Sequence, residues 1–401
     1  MIQDKIFKLK GKVQHYAWGG AEFIPHWLGI ENKKEEPFAE YWMGAHPSAS
    51  STINIDSNEK LLNELIKNEP EKFIGTKTQN EFGELPYLFK ILDVKDMLSI
   101  QVHPTKKEAE KGFAEEEKKG VDIKDSKRNY KDKNHKPEVM VALSEFWLLH
   151  GFLKEDKLHS VLQSVPEFEG FDDIFNEKDY KGLYEYVMTM PQHDVDNLLR
   201  SLVERELQSK KDNQLTKQDP GWWVAKLYEH NKPHENIDRG IFSIYFFNIV
   251  KAEPAEAVFQ GAGLPHAYME GQNVELMANS DNVLRGGLTP KHIDVPELIK
   301  HIHFEGIEPN LLKGSGEKNG EKNYPCPVKD FGISKIELSD KEIHQSQSKS
   351  LEIIVIINGE LKVEGNNSII AKKGEAVAIL ANEKYTISTQ DYVLAYKAFV
   401  P

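Results

Sequence analysis

A stretch of helical periodicity, residues 154–235, interrupts a chain that otherwise reads as β from one end to the other, and it limits the folds open to this sequence. Within it Leu158, Val161, Leu162 and Val165 recur at helical spacing, and so do Val195, Leu198, Leu199 and Leu202 after the break at Pro191. Before it, Ile6, Leu9 and Val13 alternate toward a Gly19-Gly20 turn. Residues 59–67 have helical spacing, Pro86–Asp93 and Met97–His103 read as short strands, and Val139–Phe152 returns to strand character. The charged run Thr105–Lys133 is expected as a solvated helix and loop. After the interruption, Ile241–Val250 and Ala257–Phe259 are expected as strands. The last 70 residues read as short strands, among them Ile353–Ile357, Ala376–Leu380 and Tyr392–Tyr396, with Asn358-Gly359 as a hairpin signal. Turn signals every roughly 8–12 residues suit a sandwich or jelly roll.

One internal echo points to a duplicated β unit. At an offset of 119 residues, Ala252–Val258 matches Ala371–Val377 at four places, and Ala262 matches Ala381. In that register Tyr385 stands where His266 stands in the first copy, so chemistry at His266 is absent from the second.

Composition excludes several classes of function. With 51 basic against 64 acidic residues the chain carries a net charge of −13, unlike a nucleic-acid binder. Its single cysteine, Cys326, excludes internal disulfides and all-thiolate metal sites. No apolar run is long enough for a membrane span, and Met1–Lys10 lacks the apolar core of a signal peptide, so a cytoplasmic protein is expected.

Four pieces have the residue types of a reactive site. Gln101 and His103 lie two apart on an expected strand, hence on one face. Asn134-His135-Lys136-Pro137-Glu138 brings an imidazole, an ammonium and a carboxylate to the start of another strand. Gly261-Ala-Gly263-Leu-Pro265-His266 exposes a histidine after a Gly/Pro turn. The run Glu275–Lys291 contains an Asn-Ser-Asp-Asn cluster, then Arg285, Gly-Gly and Lys291, and two cations six apart suit an anion. Gln101, His103, Glu138 and His266 together offer two nitrogens and two oxygens, a donor set zinc accepts; by ligand type alone iron or manganese fits as well.

These pieces, in this order, resemble the type I phosphomannose isomerases. Tyr130–Glu138 is similar to one signature of that family and His266–Lys291 to a second. Tyr16-Ala-Trp-Gly19, Glu40–Pro47 and Ser99–Pro104 add to the resemblance. Two small departures are Gly286, where the family usually has Ala, and Gly261-Ala-Gly263 in place of a Pro-x-Gly. The C-terminal 80 residues match only in pattern.

The resemblance implies a mainly β fold: two cupin-like jelly-roll barrels with an inserted helical domain. It divides the chain into a catalytic jelly roll at 1–153 and 237–322, a helical insert at 154–236 and a metal-free jelly roll at 323–401. It implies one zinc ion per chain on Gln101, His103, Glu138 and His266, and interconversion of mannose 6-phosphate and fructose 6-phosphate through a cis-enediol. Arg285 falls on the family's active-site arginine. Lys136 and His135 are candidates for base and ring opening, with Glu275 in reserve. Ser99, Lys90, Asp281 and Lys291 are candidates to hold the enediolate or the phosphate, with the Asp281-Asn282 cluster orienting Arg285 toward the metal. The expected partner is a small sugar phosphate, with neither nucleic acid nor membrane involved, and the expected state is a monomer. The alternatives are a non-catalytic sugar-phosphate sensor and a different metal-dependent cupin enzyme such as a dioxygenase. Gln101, where a dioxygenase has its first strand histidine, counts against the last.

Overall fold

The computed structural model describes residues 3–230, 235–339 and 342–401. Its strands form two antiparallel sheets, each curled into a jelly roll, with a block of helices set into the first. The mainly β architecture with a helical insertion is therefore as expected. Among the described residues, no helix is long and apolar enough to cross a membrane.

Strand alternation explains how each layer finds its core. In the first barrel, Ile100, Val102, Ala267 and Met269 point outward and are buried under the helices Glu155–Ser164, Phe171–Thr189, Gln192–Lys211 and Gly240–Phe246. Their neighbours Gln101, His103, His266 and Tyr268 therefore point the other way, into the barrel. A second core lies between the barrels, where Val139, Val141, Val274 and Leu276 meet Ile353, Val355, Tyr396 and Ala398. The interior of the C-terminal barrel is filled by Ile336, Leu338, Ile354, Ile356, Val377 and their neighbours.

Four local expectations are corrected. Residues 241–246 form a helix, Gly240–Phe246, and the strand begins only at Phe247. Every residue of that helix is buried, so its sequence is apolar all round and carries no period to separate helix from strand. The helix expected over 59–67 starts at Leu62, because Asn58–Leu61 pairs with Thr52–Ile55. Asn358-Gly359 is not a hairpin turn. It lies inside the strand Glu352–Glu364, at a register shift between Ile356 and Asn358, and Gly359 (φ +81°) is so close to the Tyr392 carbonyl that a Cβ would collide with it. Finally, the strand Ile6–Lys10 pairs with Ala376–Ile379 and Thr52–Ile55, so parts of the expected 1–153 segment belong to the C-terminal sheet.

Candidate active site

The site forms where the strands of the first barrel bring four separate segments together. Glu138 opens the strand Glu138–Ala142 and stands opposite Gln260 and Met277. His266 opens the strand His266–Ala278 and stands opposite Gln101, whose other neighbour is Arg285. His103 follows directly on the strand Gln101–Val102.

Each imidazole is aimed by a backbone carbonyl. The Nδ1–H of His103 donates to the Asn282 carbonyl at 2.9 Å, and that of His266 donates to the Leu264 carbonyl at 2.9 Å. Both Nε2 lone pairs then face Glu138, 3.5 Å from Oε1 and 3.3 Å from Oε2 respectively. Two imidazole nitrogens and a carboxylate converging on one point suit a cation among them. The His103 Nε2 is also buried with no hydrogen-bond partner. His103, Glu138 and His266 place their ligand atoms within 4.8 Å of one another, and Gln101 lies beside His266 in the sheet. These residues fit a zinc ion, with the second ring nitrogen of each histidine held as metal-binding histidines require.

The electrostatics agree with this arrangement. Burial pulls His103 down from histidine's ordinary 6.5 to about 4, against the pull of Glu138, so the ring is neutral and ready to ligate. Burial disfavours charge on Glu138, but the Lys136 ammonium outweighs it and holds the carboxyl well below its usual range. Lys136 Nζ is 3.0 Å from Glu138 Oε1.

Asn282 braces the site, a role not foreseen from the sequence. Its side chain is fully buried. It donates to the carbonyls of Asp132 and Asn134 at 2.9 and 2.8 Å and accepts from the Lys131 N–H at 2.7 Å. One residue thus ties the 131–134 loop to the peptide that aims His103. Asn282→Ala should loosen that peptide and weaken zinc binding by ~10–100-fold, the usual scale for losing such a support. Competition with a chromogenic chelator measures this, and unchanged zinc affinity would refute it.

The other candidates divide. Lys90 lies directly across from Glu275 and is buried between it, at 2.9 Å, and Glu40, at 3.4 Å, with its ammonium 5.2 Å from the Trp42 ring centre. Burial opposes charge on Lys90, but Glu275 and Glu40 prevail and raise its pKa. Burial raises the pKa of Glu275 despite the Lys90 charge. The structure does not bring His135 to the cluster. Its Nε2 lies 3.0 Å from Asp330 Oδ1, and among the described residues no hydrogen bond or ion pair joins it to the ligand positions. Ser99 is half-buried two residues before Gln101.

Asp281 and Asn282 do not orient Arg285. The Asp281 carboxylate is 3.5 Å from His46 Nε2, its N–H binds Asp132, and Asn282 is spent on the 131–134 loop. Asp238, from the end of the helical block, holds the Arg285 loop instead. Its carboxylate accepts from the N–H groups of Leu288 at 2.8 Å, Thr289 at 2.9 Å and Gly240 at 2.7 Å. Gly287 (φ +131°) packs so closely on Gly240 that no side chain fits there. Arg285 has no ion-pair partner among the described residues. The Lys291 pKa is lowered by burial and then by the Arg285 charge.

Comparison with known proteins gives this geometry a family. Residues 6–155 match the family model for the phosphomannose isomerase type I catalytic domain. The mannose-6-phosphate isomerase of Escherichia coli K12 is 39% identical over 380 residues, 94% of this chain and 95% of that one. The chain belongs to the type I phosphomannose isomerases. Within this family the mouse mannose-6-phosphate isomerase is 32% identical, covering 96% of this chain and 95% of that one. Among solved structures, a point variant of the phosphomannose isomerase from Salmonella typhimurium superposes with a TM-score of 0.89 at 34% identity, covering 99% of this chain and all of that one. A mannose 6-phosphate isomerase bound with zinc and yttrium superposes with a TM-score of 0.87 at 34% identity and the same coverage.

Proposed function

We propose that this chain is a zinc-dependent isomerase that interconverts mannose 6-phosphate and fructose 6-phosphate. The observation that carries this reading is the convergence of two backbone-aimed histidines on Glu138, with Lys136 at the same carboxylate and Arg285 directly across from Gln101. The relatives are named for this activity, and no observation favours the sensor or dioxygenase alternatives. Zinc, when bound, supplies a Lewis acid that stabilises negative charge growing on the sugar oxygens.

This chain's own residues then divide the work. Gln101, His103, Glu138 and His266 hold the ion. Lys136 transfers the proton at the reacting C1–C2 pair, since of the three acid–base candidates it alone touches the cluster. Glu275 is tied to Lys90, and their ion pair with Glu40 forms a rigid polar wall rather than a proton donor. Arg285 faces the charge of the enediolate, and Lys291 is left for the phosphate. The helices of 154–236 form the outer wall against which the site strands are packed. All of these residues come from one chain, which supports action as a monomer, and a sugar-phosphate substrate suits the cytoplasm.

Lys136→Met should lower kcat by ~10²–10⁴-fold, the range for losing a positioned general acid or base, with zinc still bound. His135→Ala should leave kcat within a few-fold of wild type. Steady-state kinetics alongside metal analysis separates the two, and undiminished turnover in Lys136→Met would remove it from the mechanism.

A further inference from the structure

The strands of the two barrels correspond through their pairing registers. In the first, Glu138 stands opposite Gln260. The 119-residue offset carries Gln260 to Ile379, and Ile379 stands opposite Glu352. Glu352 therefore takes the place of Glu138. Reading on along the paired strands carries Met140 to Ile354, and hence Glu275, opposite Met140, to Lys397, opposite Ile354, three residues beyond the 119-residue offset. One strand further out, Lys90 corresponds to Ser334, and beyond that Glu40 corresponds to Glu321. Tyr385 replaces His266, and Ser346 stands across from it as Gln101 stands across from His266.

Contacts follow the register. The Tyr385 hydroxyl donates to Glu352 at 2.6 Å, where His266 faces Glu138. Glu321 accepts from Lys397 at 2.7 Å and Ser334 at 2.5 Å, and His344 Nε2 lies 3.4 Å from its other oxygen. Ser334 shares a strand face with Ile336 and Leu338, and Lys397 with Val393 and Ala395, so both point into the barrel beyond its apolar filling. Packing alone does not call for ionic groups there, because a buried ion pair is often no more stabilising than apolar side chains of the same volume.

What has changed is the chemistry. Among the described residues, no second cluster of histidines and carboxylates is close enough to hold a metal ion. Lys397 and Glu321 cancel one another, and burial raises the pKa of Glu352, which disfavours a charge there. The adjoining cavity of about 670 Å³ is lined by one charge of each sign, Glu321 and Lys384, and by uncharged polar side chains, among them Asn319, Ser346, Gln347 and Thr386. Such groups both donate and accept hydrogen bonds, which matches hydroxyls better than an anion or a cation. The volume lies in the ~300–1,000 Å³ range of small-molecule sites. We propose that the end of the C-terminal barrel is a second ligand site, which takes a neutral polyhydroxylated molecule of hexose or hexitol size.

The test uses zinc-loaded protein with D-mannose and D-mannitol as probes in saturation-transfer NMR, with saturating mannose 6-phosphate present to occupy the isomerase site. Transfer to at least one probe should persist under those conditions. Ser346→Trp, which plugs the cavity from its half-buried rim, should weaken that binding at least tenfold and leave kcat/KM for mannose 6-phosphate unchanged. Ser346→Leu is a smaller plug that should act in the same direction if the larger one unfolds the barrel. The proposal fails if neither probe shows transfer, if mannose 6-phosphate displaces both, if both variants bind like wild type, or if inorganic phosphate binds there in place of the sugars. The activity measurement reads the isomerase assignment separately, so either reading can fail without the other.

Discussion

Chelation of the metal should abolish isomerisation and leave the protein folded. The proposed ligand positions Gln101, His103, Glu138 and His266 lie on or directly after strands already held by cores that do not involve them: the helix-covered face, the contact between barrels and the C-terminal interior. Far-ultraviolet circular dichroism should therefore be unchanged after chelation. Activity should fall by three orders of magnitude or more, because stabilisation of the developing oxyanion contributes several kcal/mol, at about 1.4 kcal/mol per factor of ten. Added zinc should restore it. Glu138→Ala should lose zinc more completely than Gln101→Ala. Both imidazoles point at the two Glu138 oxygens, and Glu138 is the sole anion of the set, whereas Gln101 is a neutral neighbour in the sheet. Metal analysis with turnover assays decides the matter. Wild-type rates from demonstrably metal-free protein would refute the zinc assignment, and equal zinc retention in the two variants would refute the ranking of the ligands.

Features that repeat along one segment were legible before the structure. The i, i+2 pair Gln101–His103, the Gly/Pro turn before His266 and the Lys-Pro-Glu start of the Glu138 strand are local patterns, and the helical period of the insert is one too. Their residue types add up to one metal donor set, but sequence spacing does not say which strands are neighbours, and the family resemblance is what joins them in one site. What escaped was non-local. Asn282 acts on His103 across 179 residues of chain, and Asp238 reaches the Arg285 loop from the end of the helical block. Each looks like an ordinary loop residue, and only the closed barrel gives it work. The Gly240–Phe246 helix escaped for another reason, because burial on every side erases the period that would have identified it. The 119-residue echo reads in sequence as a duplicated β unit without the chemistry of His266, but not as a set of matching positions. Only strand registers show that Glu352 stands where Glu138 stands, and that the second barrel has a polar end of its own.

Arg285→Ala should lower kcat by ~10²–10³-fold with little change in KM, the scale of losing one donor aimed at charge that grows in the transition state. Placement supports the catalytic role. Arg285 stands directly across from Gln101, which in turn stands across from His266, so its Cα is two strands from the ligand histidine. The loop that follows it is fixed from outside, by the Asp238 carboxylate on three N–H groups and by the Gly287–Gly240 contact. Removing the guanidinium should therefore leave the backbone in place. None of the ligand side chains touches it, so zinc content should match wild type. If Arg285 instead gripped the phosphate equally in ground and transition states, KM would rise and kcat would be nearly intact. Lys291, more exposed than Arg285, is the group expected to show that second pattern. Arg285→Ala and Lys291→Ala measured side by side at saturating mannose 6-phosphate separate the two roles. A kcat for Arg285→Ala within threefold of wild type would remove it from the chemistry, and a purely structural role would appear as a lower thermal midpoint with both kinetic constants unmoved.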